Sequence, residues 1–244
     1  MCKVAKMCTE MLTPQSNGTL LQYPSGGRGL ASRGNLWAPG QVITLRFMEE
    51  DVELEERVKK YAEEWLQYAN LEFLWVDPQR ESQIRIAFEE GGSWSYIARD
   101  NLLVYKDTKT MNFGWLRSTL RDYEDKDEAE KEIRRVVMHE FGHMLGLQHE
   151  QVNPANNIPW NEAELLAYHA EFGWTIENVR NTYTGKFDKP DALYSRYDPQ
   201  SIMHYPIENN FTIGDFEVQY SYDLSPGDID FIQKLYPATP FPNL

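Results

Sequence analysis

Between His139 and Glu150 the chain reads His-Glu-Phe-Gly-His-Met-Leu-Gly-Leu-Gln-His-Glu, which puts three of its five histidines at offsets 0, 4 and 10. On a helix, residues i and i+4 lie one above the other on one face. The imidazoles of His139 and His143 therefore converge where a single zinc ion could be held, at about 2.0–2.1 Å from each nitrogen. Glu140 projects from the adjacent edge, within reach of a water at such an ion. Gly146 suits the end of the helix, because a left-handed residue costs glycine almost nothing. A turn back at that point brings His149 in as a third ligand. Three protein ligands with one position open is the pattern of a catalytic zinc, whereas structural zinc is closed by four. A core helix carrying hydrogen-bonded histidines is the plainer alternative, but packing supplies no reason for this spacing.

Such a site needs elements to position it. The acidic run Tyr123–Glu132 reads as the solvated first turns of the motif helix, where carboxylates meet the positive end of the dipole. Ahead of it, Val42–Phe47 alternates, with Ile43, Leu45 and Phe47 on one face, and predicts a strand. Asp51–Asn70 predicts an amphipathic helix through Leu54, Val58, Tyr61, Trp65 and Tyr68. Leu71–Val76, Ile84–Phe88 and Met111–Leu116 predict further strands. Beyond the motif, Asn161–Glu171 reads as a helix with Asn161 as its cap and Glu164 three positions on. Ser225-Pro226-Gly227-Asp228 opens a last helix through Ile229, Ile232 and Leu235, with proline at its first position. There is no internal repeat. The expected class is α+β, with two subdomains and a zinc cleft between them. Residues 1–34, which contain Ser25-Gly26-Gly27-Arg28-Gly29, are expected to be a flexible leader or short pro-segment. Residues 35–244 are expected to form one catalytic domain, its upper subdomain at 35–149 and its lower at 150–244.

About 50 residues after the motif comes Ser201-Ile202-Met203-His204-Tyr205. The extended histidine motif followed by a methionine turn resembles the metzincins. Glu150 directly after the third histidine, and Tyr205 two residues after Met203, are similar to the astacin family in particular. The resemblance runs from about Asn35 to the C-terminus, and includes Leu36-Trp37 and Ser93-Trp94-Ser95-Tyr96 as weaker matches. It implies a two-subdomain fold: a twisted, mostly parallel sheet with an antiparallel edge strand and two long helices above the cleft, over a small irregular lower half. It implies a zinc-dependent endopeptidase with one catalytic zinc, held by His139, His143 and His149. Glu140 would be the general base, taking a proton from water and delivering it to the leaving amine. Met203 would form an apolar floor beneath the metal, and Tyr205 a switchable fifth ligand that swings out to the oxyanion. Glu150 would receive the new N-terminal ammonium after activation cleavage, and the edge strand at Met111–Leu116 would hold extended substrate by main-chain pairing. Each role has a blander counterpart: a core methionine, a buried tyrosine with a satisfied hydroxyl, an exposed acid, a plain sheet edge.

Composition sets bounds. A chain of 244 residues, 41% of them hydrophobic, can bury a sizeable core. Its formal net charge of -14 argues against a nucleic-acid partner, since phosphate binding wants a basic face. No apolar run approaches the roughly 18 residues of a membrane span. The expected partner is a protein or peptide substrate, and the expected state a monomer. The two cysteines, Cys2 and Cys8, both fall in the leader, so the catalytic region has no disulfide. Many animal astacins have such disulfides, which makes this chain look closer to bacterial or fungal members. Met1–Leu12 lacks the 7–15-residue apolar stretch of a signal peptide. The family resemblance implies secretion or export, while an internal location or a trimmed chain stays open.

The leader suggests latency. Astacin precursors commonly block zinc with an aspartate, yet residues 1–34 contain none. A thiolate from Cys2 or Cys8 could serve instead, with Arg28 and Arg33 as cleavage points. His169 is expected to be a surface or packing residue, and His204 a structural histidine rather than a fourth ligand. Two rival functions remain open: a zinc-binding module that recognises peptides without cutting them, and a zinc hydrolase of a non-peptide acyl bond. The presence of Glu140 speaks against the first, because a binder needs no base.

Overall fold

A computed structural model describes residues 21–22, 29–187 and 192–238 of the chain. In chain order its elements are β1 (Leu21–Gln22), β2 (Leu30–Ser32), β3 (Val42–Phe47), α1 (Val52–Ala62), β4 (Glu72–Trp75), β5 (Ile84–Ala87), β6 (Trp94–Ser95) and β7 (Met111–Asn112). They continue with α2 (Leu116–Asp122), α3 (Lys126–Met144), α4 (Glu162–Ala170), α5 (Ile176–Val179), β8 (Ala192–Tyr194) and α6 (Pro226–Leu235). This is an α+β chain with a mixed sheet. Among the described residues no helix is long and apolar enough to cross a membrane. The described residues gather into two compact units: one of Asn35–Gly146 with Ile232–Ala238, the other of Leu147–Phe231 with the described residues before Asn35.

The first unit is built on a five-stranded sheet in the order β4-β3-β5-β7-β6. Every pairing is parallel except that of β6 with β7. Alternation in β3 buries Ile43, Leu45 and Phe47, as the sequence predicts. β5 is buried at all four positions, the mark of a central parallel strand covered on both faces. One of those positions is Arg85, and a buried guanidinium is costly unless its donors are satisfied. Its nitrogens donate to the carbonyls of Ser82, Gln83, Val104, Tyr105 and Thr108.

Two expectations are revised here. Met111–Leu116 is a strand only over Met111–Asn112, and it is paired on both sides; the antiparallel edge is Trp94–Ser95. Gly114 explains the early stop. A β-carbon there would collide with the Gly91 carbonyl, so the chain hugs that loop and then turns into α2. The long helix expected over Asp51–Asn70 ends at Ala62 and tightens into a 3-10 segment, Glu63–Gln67. α1 packs against α3, and the 3-10 segment adds the buried Trp65, whose Nε1 donates to Met138 O at 3.1 Å. The pairs Arg134–Glu64 and Tyr61–Glu130 also tie that region to α3. α3 itself starts at the N-cap Asp125, whose carboxylate accepts from Asp127 N and Glu128 N.

The second unit is mostly irregular. Its sheet has three short strands in the order β1-β8-β2. A small core of Ile158, Ile207 and Val218 is flanked by Trp160, Tyr197, Phe211 and Phe216. Asn161 caps α4 by accepting from Glu164 N at 3.4 Å, in the place the sequence assigns it. α5 opens on a Thr175–Asn178 capping box and runs into a π-helical turn, Arg180–Thr184.

Candidate metal centre

The last turns of α3 carry His139, Glu140 and His143, all buried. The two imidazoles stand edge to face, centroids 4.8 Å apart at 89°, so the i, i+4 spacing delivers the expected convergence. The helix ends at once: Gly146 takes φ of 101°, and its N–H reaches back to His143 O at 2.8 Å. A β-carbon on Gly146 would lie 2.5 Å from Leu36 Cδ2, so both conformation and space demand glycine. The orphan carbonyls of the last turn are satisfied by side chains. Trp37 Nε1 donates to Met144 O at 2.8 Å and the Tyr236 hydroxyl to Leu145 O at 2.7 Å. Past the glycine, Gln148 N donates to Leu30 O at 2.9 Å and Leu147 bridges Ala31. One ligand atom from each of His139, His143 and His149 then lies within 4.8 Å of the others, and all three residues are buried.

The methionine turn is held by side chains rather than by a regular element. Met203 O accepts from Glu150 N at 3.1 Å, next to the third histidine. Asp228, at the start of α6, reaches across the intervening sequence. Its oxygens accept from Ser201 Oγ at 2.6 Å, from Ile202 N at 2.9 Å and from Ser225 N at 2.9 Å. Ser201 Oγ in turn accepts from Met203 N at 3.0 Å. Burial pushes the Asp228 carboxyl up to about 6, against the pull of those donors. Tyr205 is buried, its ring 4.3 Å from that of His149. The backbone N–H of Tyr205 donates to Gln151 Oε1 at 3.2 Å.

Glu150 is buried, so it is no surface acid. One oxygen accepts from Asn153 Nδ2 at 2.8 Å and from Asp198 N at 2.9 Å, while Oε2 has no hydrogen-bond partner among the described residues. Desolvation raises its carboxyl well above the usual range, partly offset by those two bonds. His204 is structural as expected: Nδ1 lies 2.6 Å from the Tyr205 carbonyl, and Nε2 2.7 Å from the Tyr197 hydroxyl. Burial lowers its pKa to about 4, which keeps the ring neutral. His169 is also buried, packed in an aromatic cluster. Cys2, Cys8 and Arg28 lie outside the described residues.

Sequence reasoning missed Gln151, Asp228 and Tyr183. Asp228 had a signal in the Ser225-Pro226-Gly227-Asp228 pattern, but only as a helix start. Nothing in the local pattern links it to the methionine turn.

The donor set fits zinc. Three imidazole nitrogens suit that ion, whereas hard cations such as calcium want an oxygen cage. The comparisons agree. A family model described as matrixin, Peptidase_M10, matches residues 37–164. A solved structure of myroilysin is 36% identical, covering 86% of this chain and 100% of its own, with a TM-score of 0.78. A second myroilysin structure is 35% identical over 96% of this chain and 92% of its own, with a TM-score of 0.64. High choriolytic enzyme 1, a hatching-enzyme zinc protease of the medaka Oryzias latipes, is 17% identical over 86% of this chain and 98% of its own. Its TM-score is 0.51, a likeness of fold alone. Among curated proteins none matches significantly.

Proposed function

We propose that this chain, which belongs to the matrixin family of metzincin zinc metallopeptidases, is an endopeptidase of the astacin type with Glu140 as general base. The observation that carries the proposal is the convergence of three buried imidazoles, with the buried Glu140 next to the first of them on α3. The astacin branch is favoured by Glu150 after the third histidine and by Tyr205 beside it.

His139, His143 and His149 would hold one zinc, which supplies Lewis acidity and brings the pKa of water to about 7. Glu140 takes the proton of the attacking water at its carboxylate and hands it to the leaving amine. The Tyr205 hydroxyl donates to the oxyanion that develops on the peptide carbonyl, a preorganised contact typically worth about 3–4 kcal/mol. Met203 presents an apolar floor, which needs only its bulk and its place in the turn. Glu150, with one oxygen left over in a buried setting, suits an N-terminal ammonium released by activation cleavage. Latency before that cleavage would come from the Cys2 or Cys8 thiolate. Replacing both by serine should then raise basal proteolysis, and an unchanged rate would remove the cysteines from the scheme.

The decisive experiment pairs elemental analysis with cleavage-site mapping on a denatured protein mixture, for wild type and Glu140→Gln. Wild type should hold one zinc and cut internal bonds, while the variant keeps the zinc and loses turnover. Zinc without any cleavage by wild type would instead mark a peptide binder. Cleavage confined to ester or acyl substrates would mark a different hydrolase.

A further inference from the structure

An oxyanion donor works only if its hydroxyl comes to rest in the right place, since a misplacement of about 1 Å can cost on the order of 10²-fold in rate. Tyr205 lies outside any helix or strand, so its own backbone gives it little restraint. Other residues of the same unit supply it. After α5 the chain makes a π-helical turn over Arg180–Thr184, closed by Gly185 N donating to Arg180 O at 2.7 Å. A β-carbon on Gly185 would lie 2.6 Å from that oxygen, so the closure requires glycine. Turns of this kind give up helical register and are frequent at functional sites. The buried side chain of this turn is Tyr183, whose ring meets that of Tyr205 at 62°, centroids 6.0 Å apart.

Tyr183 is itself held. His169 Nδ1 donates to the Leu165 carbonyl at 2.8 Å, which turns Nε2 toward the Tyr183 hydroxyl at 3.3 Å. The rings of His169 and Trp160 pack on it with centroids at 5.0 and 5.9 Å. A second link joins the backbones. Gln151 is fully buried; its Oε1 accepts from Tyr205 N, and its Nε2 donates to Thr182 O at 3.0 Å. An aromatic cluster that served packing alone would need neither the π register nor a buried amide bridging these two backbones.

We propose that Tyr183, set by the π turn and coupled through Gln151, is a positioning residue that fixes where the Tyr205 hydroxyl comes to rest. The inference rests on the reading of Tyr205 as oxyanion donor, and it adds the part of the chain that makes that donor effective. Tyr183 touches no reacting atom.

The test compares Tyr205→Phe, Tyr183→Leu, Tyr183→Phe and the double variant Tyr183→Leu/Tyr205→Phe, each checked for zinc content and melting temperature. Tyr205→Phe should lower kcat about 100-fold. Tyr183→Leu should lower it about 10-fold with KM within about 2-fold, and Tyr183→Phe, which keeps the ring, should recover most of that loss. The double variant should be no worse than Tyr205→Phe alone. Independently of turnover, calorimetry should show Tyr183→Leu binding a phosphinic peptide, whose tetrahedral centre imitates the oxyanion, about 10-fold more weakly. Gln151→Glu keeps the acceptor for Tyr205 N but loses the donor to Thr182 O. It should shift kcat and phosphinate affinity in the same direction by about 3-fold, and it carries the test if Tyr183→Leu does not fold. A Tyr205→Phe variant at wild-type kcat would overturn the reading of Tyr205 and this inference with it. An impaired Tyr205→Phe beside an unimpaired Tyr183→Leu, or losses that multiply in the double variant, would overturn the positioning role alone.

Discussion

His139, Glu140 and His143 owe their places to one helix, whereas Met203 and Tyr205 owe theirs to side chains that bond backbone across long stretches of sequence. In α3 the i, i+4 geometry sets the ligands, and the burial of Val136, Val137, Met138 and Phe141 holds the helix in its core. In the methionine turn a handful of polar groups do the same work: the side chains of Ser201, Asp228 and Gln151 and the backbone N–H of Glu150. A helix spreads restraint over many weak interactions. An irregular turn concentrates it in a few bonds made in a dry setting, where each lost partner leaves a desolvated group behind. Polar substitutions should therefore hurt more in the turn, apart from those that remove the chemistry itself.

The largest effect bounds the comparison from the chemical side. His143→Ala removes one of three zinc donors and should abolish both stoichiometric zinc and cleavage. Met203→Leu should retain the zinc and most of the activity, because the apolar floor proposed for Met203 needs bulk rather than a ligand. Metal analysis with a peptide assay checks both, and a zinc-replete, active His143→Ala would dissolve the site. Next comes Asp228→Ala, which strips acceptors from Ser201 Oγ, Ile202 N and Ser225 N at once. Losing three buried hydrogen bonds should cost on the order of 3–5 kcal/mol in chemical denaturation. A cost below about 1 kcal/mol would mean the turn is held by packing after all.

The same residue gives a pH signature. The Asp228 carboxyl moves from 3.8 in an open chain to about 6 in the fold, chiefly because burial penalises its charge. A carboxyl with the higher pKa when folded binds its proton more tightly in the native state. Its contribution therefore favours folding below about 3.8, and that advantage is lost as pH rises through about 6. Wild-type stability measured against Asp228→Asn should fall by on the order of 3 kcal/mol across that window and stay level above it. A difference that does not change with pH would show that the carboxyl has the same pKa in the fold as in the open chain.

How legible each part was in the sequence follows the same division. The histidine spacing, Gly146 at the helix end, the alternation of β3 and the Asn161 cap are local patterns, and local geometry realises them. The shortening of Met111–Leu116 was hidden because it depends on the Gly91 carbonyl meeting Gly114. Asp228, Gln151 and Tyr183 were hidden for a related reason. Asp228 bonds Ile202 across 26 residues, and Gln151 bonds Thr182 and Tyr205 across 31 and 54. No periodicity connects such positions, since each depends on where a distant carbonyl or amide ends up.

The smallest expected effect tests the helical side of the comparison. Tyr236 donates to Leu145 O, and Trp37 Nε1 to Met144 O, so the end of α3 is fastened twice beside its own helical bonds. Tyr236→Phe keeps the buried ring and removes one bond, which should cost about 1 kcal/mol of stability. Because the remaining fastenings still fix His139 and His143, kcat should stay within about 2-fold of wild type, while melting falls by roughly 2–4 °C. A drop in kcat well beyond that 2-fold would mean that the helix end is as singly held as the methionine turn. The contrast between spread and concentrated restraint would then fail at its stronger pole.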